Sequence, residues 1–193
     1  MEQIRAFIAI ELPSELKNGL YQLETELKRR QSSARWVDPE NIHLTLNFLG
    51  NIDAAKTGEI TEAMEEAAQG IPPFQLEVKE LGVFPNLKRV QVVWVGISGE
   101  VDKLMQLQQG LETNLAILGF APEERKFTPH LTLARVRNEA SFEERQKLGQ
   151  LIASTQFEGG TIRVDAISLM RSELTRAGPI YTRLSLVKLG GQK

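Results

Sequence analysis

The tetrapeptide His-Leu-Thr-Leu occurs twice in this chain, at residues 43–46 and 130–133, and its two copies hold the only histidines present. At ordinary residue frequencies, Leu-Thr-Leu follows a given histidine by chance in about one case in a thousand. Upstream, Phe7-Ile8-Ala9-Ile10 lies over Trp94-Val95-Gly96-Ile97 at the offset of the histidines, 94 − 7 = 130 − 43 = 87. Each apolar segment is followed by an amphipathic helical pattern and then by the strand that carries the motif. Two copies are too few for a solenoid. They predict a duplicated lobe, with strand–helix–strand units facing one another across a cleft. The 193 residues suit one large domain or two small lobes sharing an interface.

Residues 4–10 read as a short apolar strand. Pro13 and Ser14 then open a helix, and Leu16, Leu20, Leu23 and Leu27 give it one apolar face. Lys28, Arg29 and Arg30 suit the negative end of its dipole. A strand over 42–49 is expected to stop at Gly50-Asn51, and a helix over about 54–68 at Gly70 and Pro72-Pro73. Strands over 74–83 and 90–97, joined around Pro85-Asn86, lead to a helix over 101–118 that Gly119 stops. A strand over 127–136 and a helix over 141–153, weak in apolar periodicity, come next. Two or three strands near 157–171 and 180–188 close the chain.

Side chains alternate across a strand. Strict alternation puts His43, Thr45 and Asn47 on one face, with Ile42, Leu44, Leu46 and Phe48 on the other. In the second copy Thr128, His130 and Thr132 share a face, backed by Leu131 and Leu133. The leucines anchor each strand in its lobe, and a pseudo-twofold brings both His/Thr pairs into one cleft. Opening a cyclic phosphodiester with water requires a base for the water and an acid for the departing ribose oxygen. Imidazole can supply either role near neutral pH. A hydroxyl two residues along can donate to a non-bridging phosphate oxygen, where charge builds in the transition state. The two motifs are nearly identical, so their spacing leaves the acid and base roles unassigned.

The absence of cysteine excludes a disulfide scaffold, a thiolate zinc site and a cysteine nucleophile. A catalytic zinc site wants three or more protein ligands, and no HExxH or third ligand stands beside either histidine. The expectation is no metal and no cofactor. The acidic residues around the short apolar run at the N-terminus do not read as a signal peptide, and no stretch reads as a membrane span. A cytoplasmic protein, with no membrane partner, is expected. A net charge of −2 argues against coating a long duplex and for gripping a few phosphates at an end.

RAFIAIELP at the start, NIHLTLNFLG and FTPHLTLARV around the motifs, and Ser172-Glu173-Leu174 through Gly178 to Tyr181 near the end resemble the 2H phosphoesterase superfamily. More narrowly, the chain is similar to the RNA 2′,3′-cyclic phosphodiesterases, first described as 2′-5′ RNA ligases. The resemblance implies an α+β fold: bilobal, with pseudo-twofold duplicated lobes, antiparallel sheets facing a central cleft and helices packed outside. It implies one domain over 1–193 made of two intertwined lobes. It also implies metal-independent hydrolysis of RNA 2′,3′-cyclic phosphate ends to 2′-phosphomonoesters, tRNA fragments being one candidate substrate, with 2′-5′ ligation as the reverse reaction. His43 would be the proton donor and His130 the proton acceptor. Thr45 and Thr132 would bind the phosphate, with Arg135, Phe127 and Tyr181 as further substrate contacts. Arg135 follows motif two as the family's arginine does, yet strict alternation puts it on the leucine face. Arg125-Lys126 stands where family members often carry arginine-proline. The rival readings are a 2′,5′-oligonucleotide or nucleotide cyclic phosphodiesterase of the same superfamily, and a non-catalytic RNA-end binding module. A monomer is expected, since two fused lobes already build the symmetric cleft.

Overall fold

A computed structural model describes residues 1–31 and 33–190. The strands are β1 (Gln3–Glu11), β2 (Ala34–Trp36), β3 (His43–Asp53), β4 (Phe74–Phe84), β5 (Val92–Gly99), β6 (His130–Val136), β7 (Glu158–Val164), β8 (Ala166–Thr175) and β9 (Gly178–Lys188). The helices are α1 (Ser14–Arg30), α2 (Thr57–Ala68), α3 (Val101–Ile117) and α4 (Phe142–Ala153). They build two antiparallel sheets, one ordered β3-β1-β8-β9 and the other β2-β6-β5-β4-β7. This is the mixed helix-and-strand architecture that the repeat predicts.

The chain changes sheets rather than finishing one before starting the next. β1 belongs to the four-stranded sheet, α1 then packs against β7 of the other sheet, and β2 pairs with β6. A 3₁₀ turn at Pro39–Asn41, capped by the Asp38 carboxylate, returns the chain to β3. Buried apolar residues from both sheets form one main cluster, running from Ile8 and Leu44 through Leu16 and Leu20 to Leu76, Val95 and Leu131. α4 forms despite weak apolar periodicity because Ser141 and Glu144 make a capping box, satisfying two backbone donors at its start.

Strict alternation fails at one matched place in each half. Between β1 and β3, Ile8 faces Asn47 but Ala9 faces Thr45, so Leu46 has no opposite number. Between β5 and β6, Val93 faces Ala134 but Trp94 faces Thr132, leaving Leu133 unmatched. Such a bulge adds one residue and reverses the face of everything after it. The expected faces of Asn47 and Phe48 are therefore exchanged: Asn47 is 6% exposed and Phe48 68%. Arg135 is likewise exposed, on the histidine side, with Ala134 and Val136 buried behind it. β3 also continues past Gly50-Asn51, where it was expected to stop, because Gly50 adopts a φ of 70° beside a second register shift.

The register also corrects the superposition of the halves. Ala9 lies opposite Thr45 and Trp94 opposite Thr132, so β1 and β5 correspond at 94 − 9 = 85 residues while the motifs correspond at 132 − 45 = 87. A slip of two keeps every side chain on its face.

Candidate active site

β3 and β6 come into contact with one another, which brings together the two strands that carry the motifs. His43 opens β3 and His130 opens β6, each half-buried. Both imidazoles are tied down in the same way. His43 Nδ1 is 3.0 Å from the Asn41 carbonyl, and His130 Nδ1 is 2.6 Å from the Thr128 carbonyl, in each case two residues back. A carbonyl only accepts, so Nδ1 carries the proton in both rings. Nε2 is then the lone-pair site in the neutral imidazole and the acid in the cation. The Thr45 and Thr132 side chains are half-buried, and neither hydroxyl has a hydrogen-bond partner among the described residues.

The two histidines sit in different surroundings. Phe7 and Tyr181 pack edge-on against His43, with ring centroids at 5.8 and 5.2 Å. Burial pushes His43 below the ordinary histidine range, while the Asn41 carbonyl and the Glu11 charge push it back up and Lys17 adds to the depression. His130 packs against Phe84 at 5.2 Å and Trp94 at 6.4 Å. Trp94 lies directly across from Gly82, and a Cβ there would overlap the indole's six-membered ring. Gly82→Ala is expected to displace Trp94 and cost about 1–3 kcal/mol of stability, as overpacking does. Thermal melts should show it as a drop of several degrees, and an unchanged midpoint would contradict this packing.

Tyr181 belongs to the group around His43, packed with Phe7, Ala9 and Met170. Burial pushes its phenol up, and the charges of Arg5 and Arg135 push it back down. Arg135 from the five-stranded sheet thus acts on a side chain of the four-stranded one, a placement that strict alternation had denied it. Phe127 is half-buried against the main core. Lys88 and Arg89 line a separate open groove with Leu87 and Phe142, while Arg125 and Lys126 are exposed in the loop before β6.

Phe48 was missed at the sequence level. It is the repeat counterpart of Arg135, 135 − 48 = 87, and the paired bulges put both on the histidine face. Its ring packs on Phe7 at 6.3 Å and is otherwise mostly open. The matching offsets were the available signal, hidden by the assumption of unbroken alternation.

The family model described as LigT-like phosphoesterase matches the chain twice, over residues 10–94 and 95–181, so each match contains one His-Leu-Thr-Leu strand. A protein of Methanothermobacter thermautotrophicus named RNA 2′,3′-cyclic phosphodiesterase is 37% identical over 188 residues, covering 97% of this chain and 100% of that one. A protein of the same name from Aquifex aeolicus is 33% identical, covering 99% and 100% respectively. Among solved structures, TT0787 of Thermus thermophilus superposes with a TM-score of 0.81 at 27% identity, over 98% of this chain and 100% of that one. Escherichia coli LigT complexed with 3′-AMP superposes with a TM-score of 0.78 at 27% identity and the same coverage.

Proposed function

The chain belongs to the LigT-like phosphoesterase family, and from that membership we propose that it hydrolyses RNA 2′,3′-cyclic phosphate ends to 2′-phosphomonoesters by acid–base catalysis with His43 and His130. The observation that carries this reading is the matched pair of imidazoles, each with Nδ1 held by the backbone carbonyl two residues before its strand and, two residues along, a threonine hydroxyl with no hydrogen-bond partner among the described residues. His130, neutral, takes a proton from water through Nε2 as the water oxygen bonds to phosphorus. His43, protonated, gives its Nε2 proton to the 3′ oxygen as the P–O3′ bond breaks. The resemblance to the family supplies this allocation of roles. Thr45 and Thr132 donate to the non-bridging oxygens, where the negative charge accumulates. With a 5′-hydroxyl in place of water the same steps run as ligation, which the high concentration of water makes secondary.

The terminal base is held by stacking. Phe48 offers a ring and Arg135 a planar guanidinium, at equivalent places on the two strands, and both surfaces stack on any nucleobase. Phe48→Ala and Arg135→Ala are each expected to lower kcat/KM by about tenfold, for the roughly 1–3 kcal/mol of one stacked base. The loss should fall mainly on KM. Equal losses for a substrate without a base would exclude stacking.

The proposal is tested by turnover of a short RNA ending in 2′,3′-cyclic phosphate with EDTA present. A 2′-phosphate product is expected. No turnover, or turnover that EDTA abolishes, would overturn the reading.

A further inference from the structure

Glu11 is the last residue of β1 and lies directly opposite His43 across the β1–β3 ladder. Directly opposed residues share a face, so carboxylate and imidazole stand on the same side of the sheet. The carboxylate is clamped in place. Ser168 Oγ on β8 donates to Glu11 Oε2 at 2.6 Å, and Arg183 Nε on β9 donates to the same oxygen at 2.8 Å. Three strands thus fix one acid beside one histidine. The other half differs at this place: the residue opposite His130 is Gly96, where a Cβ would already press on the Lys79 carbonyl at 3.0 Å. The two motifs are alike, and their cross-strand neighbours are not.

We infer that Glu11 is a positioning residue for His43, its clamped carboxylate favouring the protonated imidazole and so making the two histidines chemically unequal. The inference rests on the two-histidine mechanism and adds to it the group that breaks its symmetry. The other groups around His43 do not duplicate this effect. Lys17 on α1 opposes protonation while pairing with Glu40 at 3.4 Å, and Phe7 and Tyr181 contribute uncharged rings. Arg183 reaches His43 through Glu11, whose charge it partly offsets. Burial pushes the Glu11 carboxyl up, but the Ser168 and Arg183 hydrogen bonds and the Arg183 and His43 charges outweigh it. The carboxyl is therefore held below its ordinary range and stays ionised wherever histidine titrates.

Having only two histidines makes the test direct. Imidazole proton and carbon resonances would be titrated by NMR in the wild type, Glu11→Gln and Glu11→Asp, with His43→Ala and His130→Ala giving the assignments. Glu11→Gln is expected to move the His43 midpoint to lower pH and leave that of His130 in place, and Glu11→Asp to restore most of the shift. In the pH profile of kcat/KM, one limb should move to lower pH. A Glu11→Gln protein that folds but titrates like the wild type overturns the inference. So does one in which both histidines shift together. Full activity in His43→Ala would instead sink the underlying mechanism while leaving the titration result standing.

Discussion

His43→Ala and His130→Ala are each expected to slow opening of a 2′,3′-cyclic phosphate by about 10²–10⁴-fold, the usual contribution of a general acid or base. Both side chains are half-buried at the first residue of a strand, and among the described residues each hydrogen-bonds only to a carbonyl two residues away. Truncation should therefore leave the fold intact, and melting curves would verify that the loss is chemical. The double variant is expected to lose little more than the worse single one, because an acid without a base, or the reverse, no longer completes a concerted transfer. Single-turnover kinetics on a short RNA would measure all three. Losses that multiply, or a single variant with near-normal rate, would show that the two imidazoles do not work as a pair.

Glu24→Gln is expected to stabilise the protein at pH 8 and change little at pH 5. Glu24 lies on the buried face of α1 beside Leu20 and Leu27, 1% exposed, and neither carboxylate oxygen has a hydrogen-bond partner among the described residues. Burial pushes its pKa up to about 8, with Asp38 adding to the rise and Lys28 opposing it. A carboxyl whose folded pKa lies above its unfolded value favours folding fully only below the unfolded value. Its stability contribution is lost as pH rises from about 4.5 to 8. The penalty is on the order of 3 kcal/mol at pH 7. Removing the charge should then raise the melting temperature by roughly 5–10 °C at pH 8, for a chain of this length. Thermal melts of both proteins from pH 5 to 9 would test this, and parallel curves across that range would refute it.

The same helix shows what the sequence could and could not convey. Its leucine spacing predicts an amphipathic α1, and Glu24 sits inside that stripe, with Leu23 only half-buried. Spacing alone would have placed residue 24 in the core; its charge made it read as surface. α3 lies where the helix over 101–118 was expected, and it buries Leu104, Leu111 and Leu115. β2 escaped notice because three residues cannot display a period. The His/Thr strands were legible because a repeated tetrapeptide fixes both residue type and face. The bulges were not, since neither Leu46-Asn47 nor Leu133-Ala134 contains the glycine or proline that usually announces a break. Unbroken alternation therefore puts Asn47 and Phe48 on the wrong faces and turns Arg135 toward the core. Glu11 could not have been tied to His43 before the ladder register was known.

Those two bulges separate the positions that build the fold from those left open on the histidine face. Before each bulge the leucines hold the strand and the His/Thr pair faces outward; one step after it stands a residue with no duty in the core. Here one half fills that place with an aromatic ring and the other with a guanidinium, and the buried neighbours, Asn47 on one side and Ala134 with Val136 on the other, remain in place beneath them. Exchanging either occupant redraws the exposed surface beside the histidines and leaves the layer of leucines untouched. On the proposed stacking role, the grip on a terminal base could therefore change in this scaffold without first renegotiating its stability.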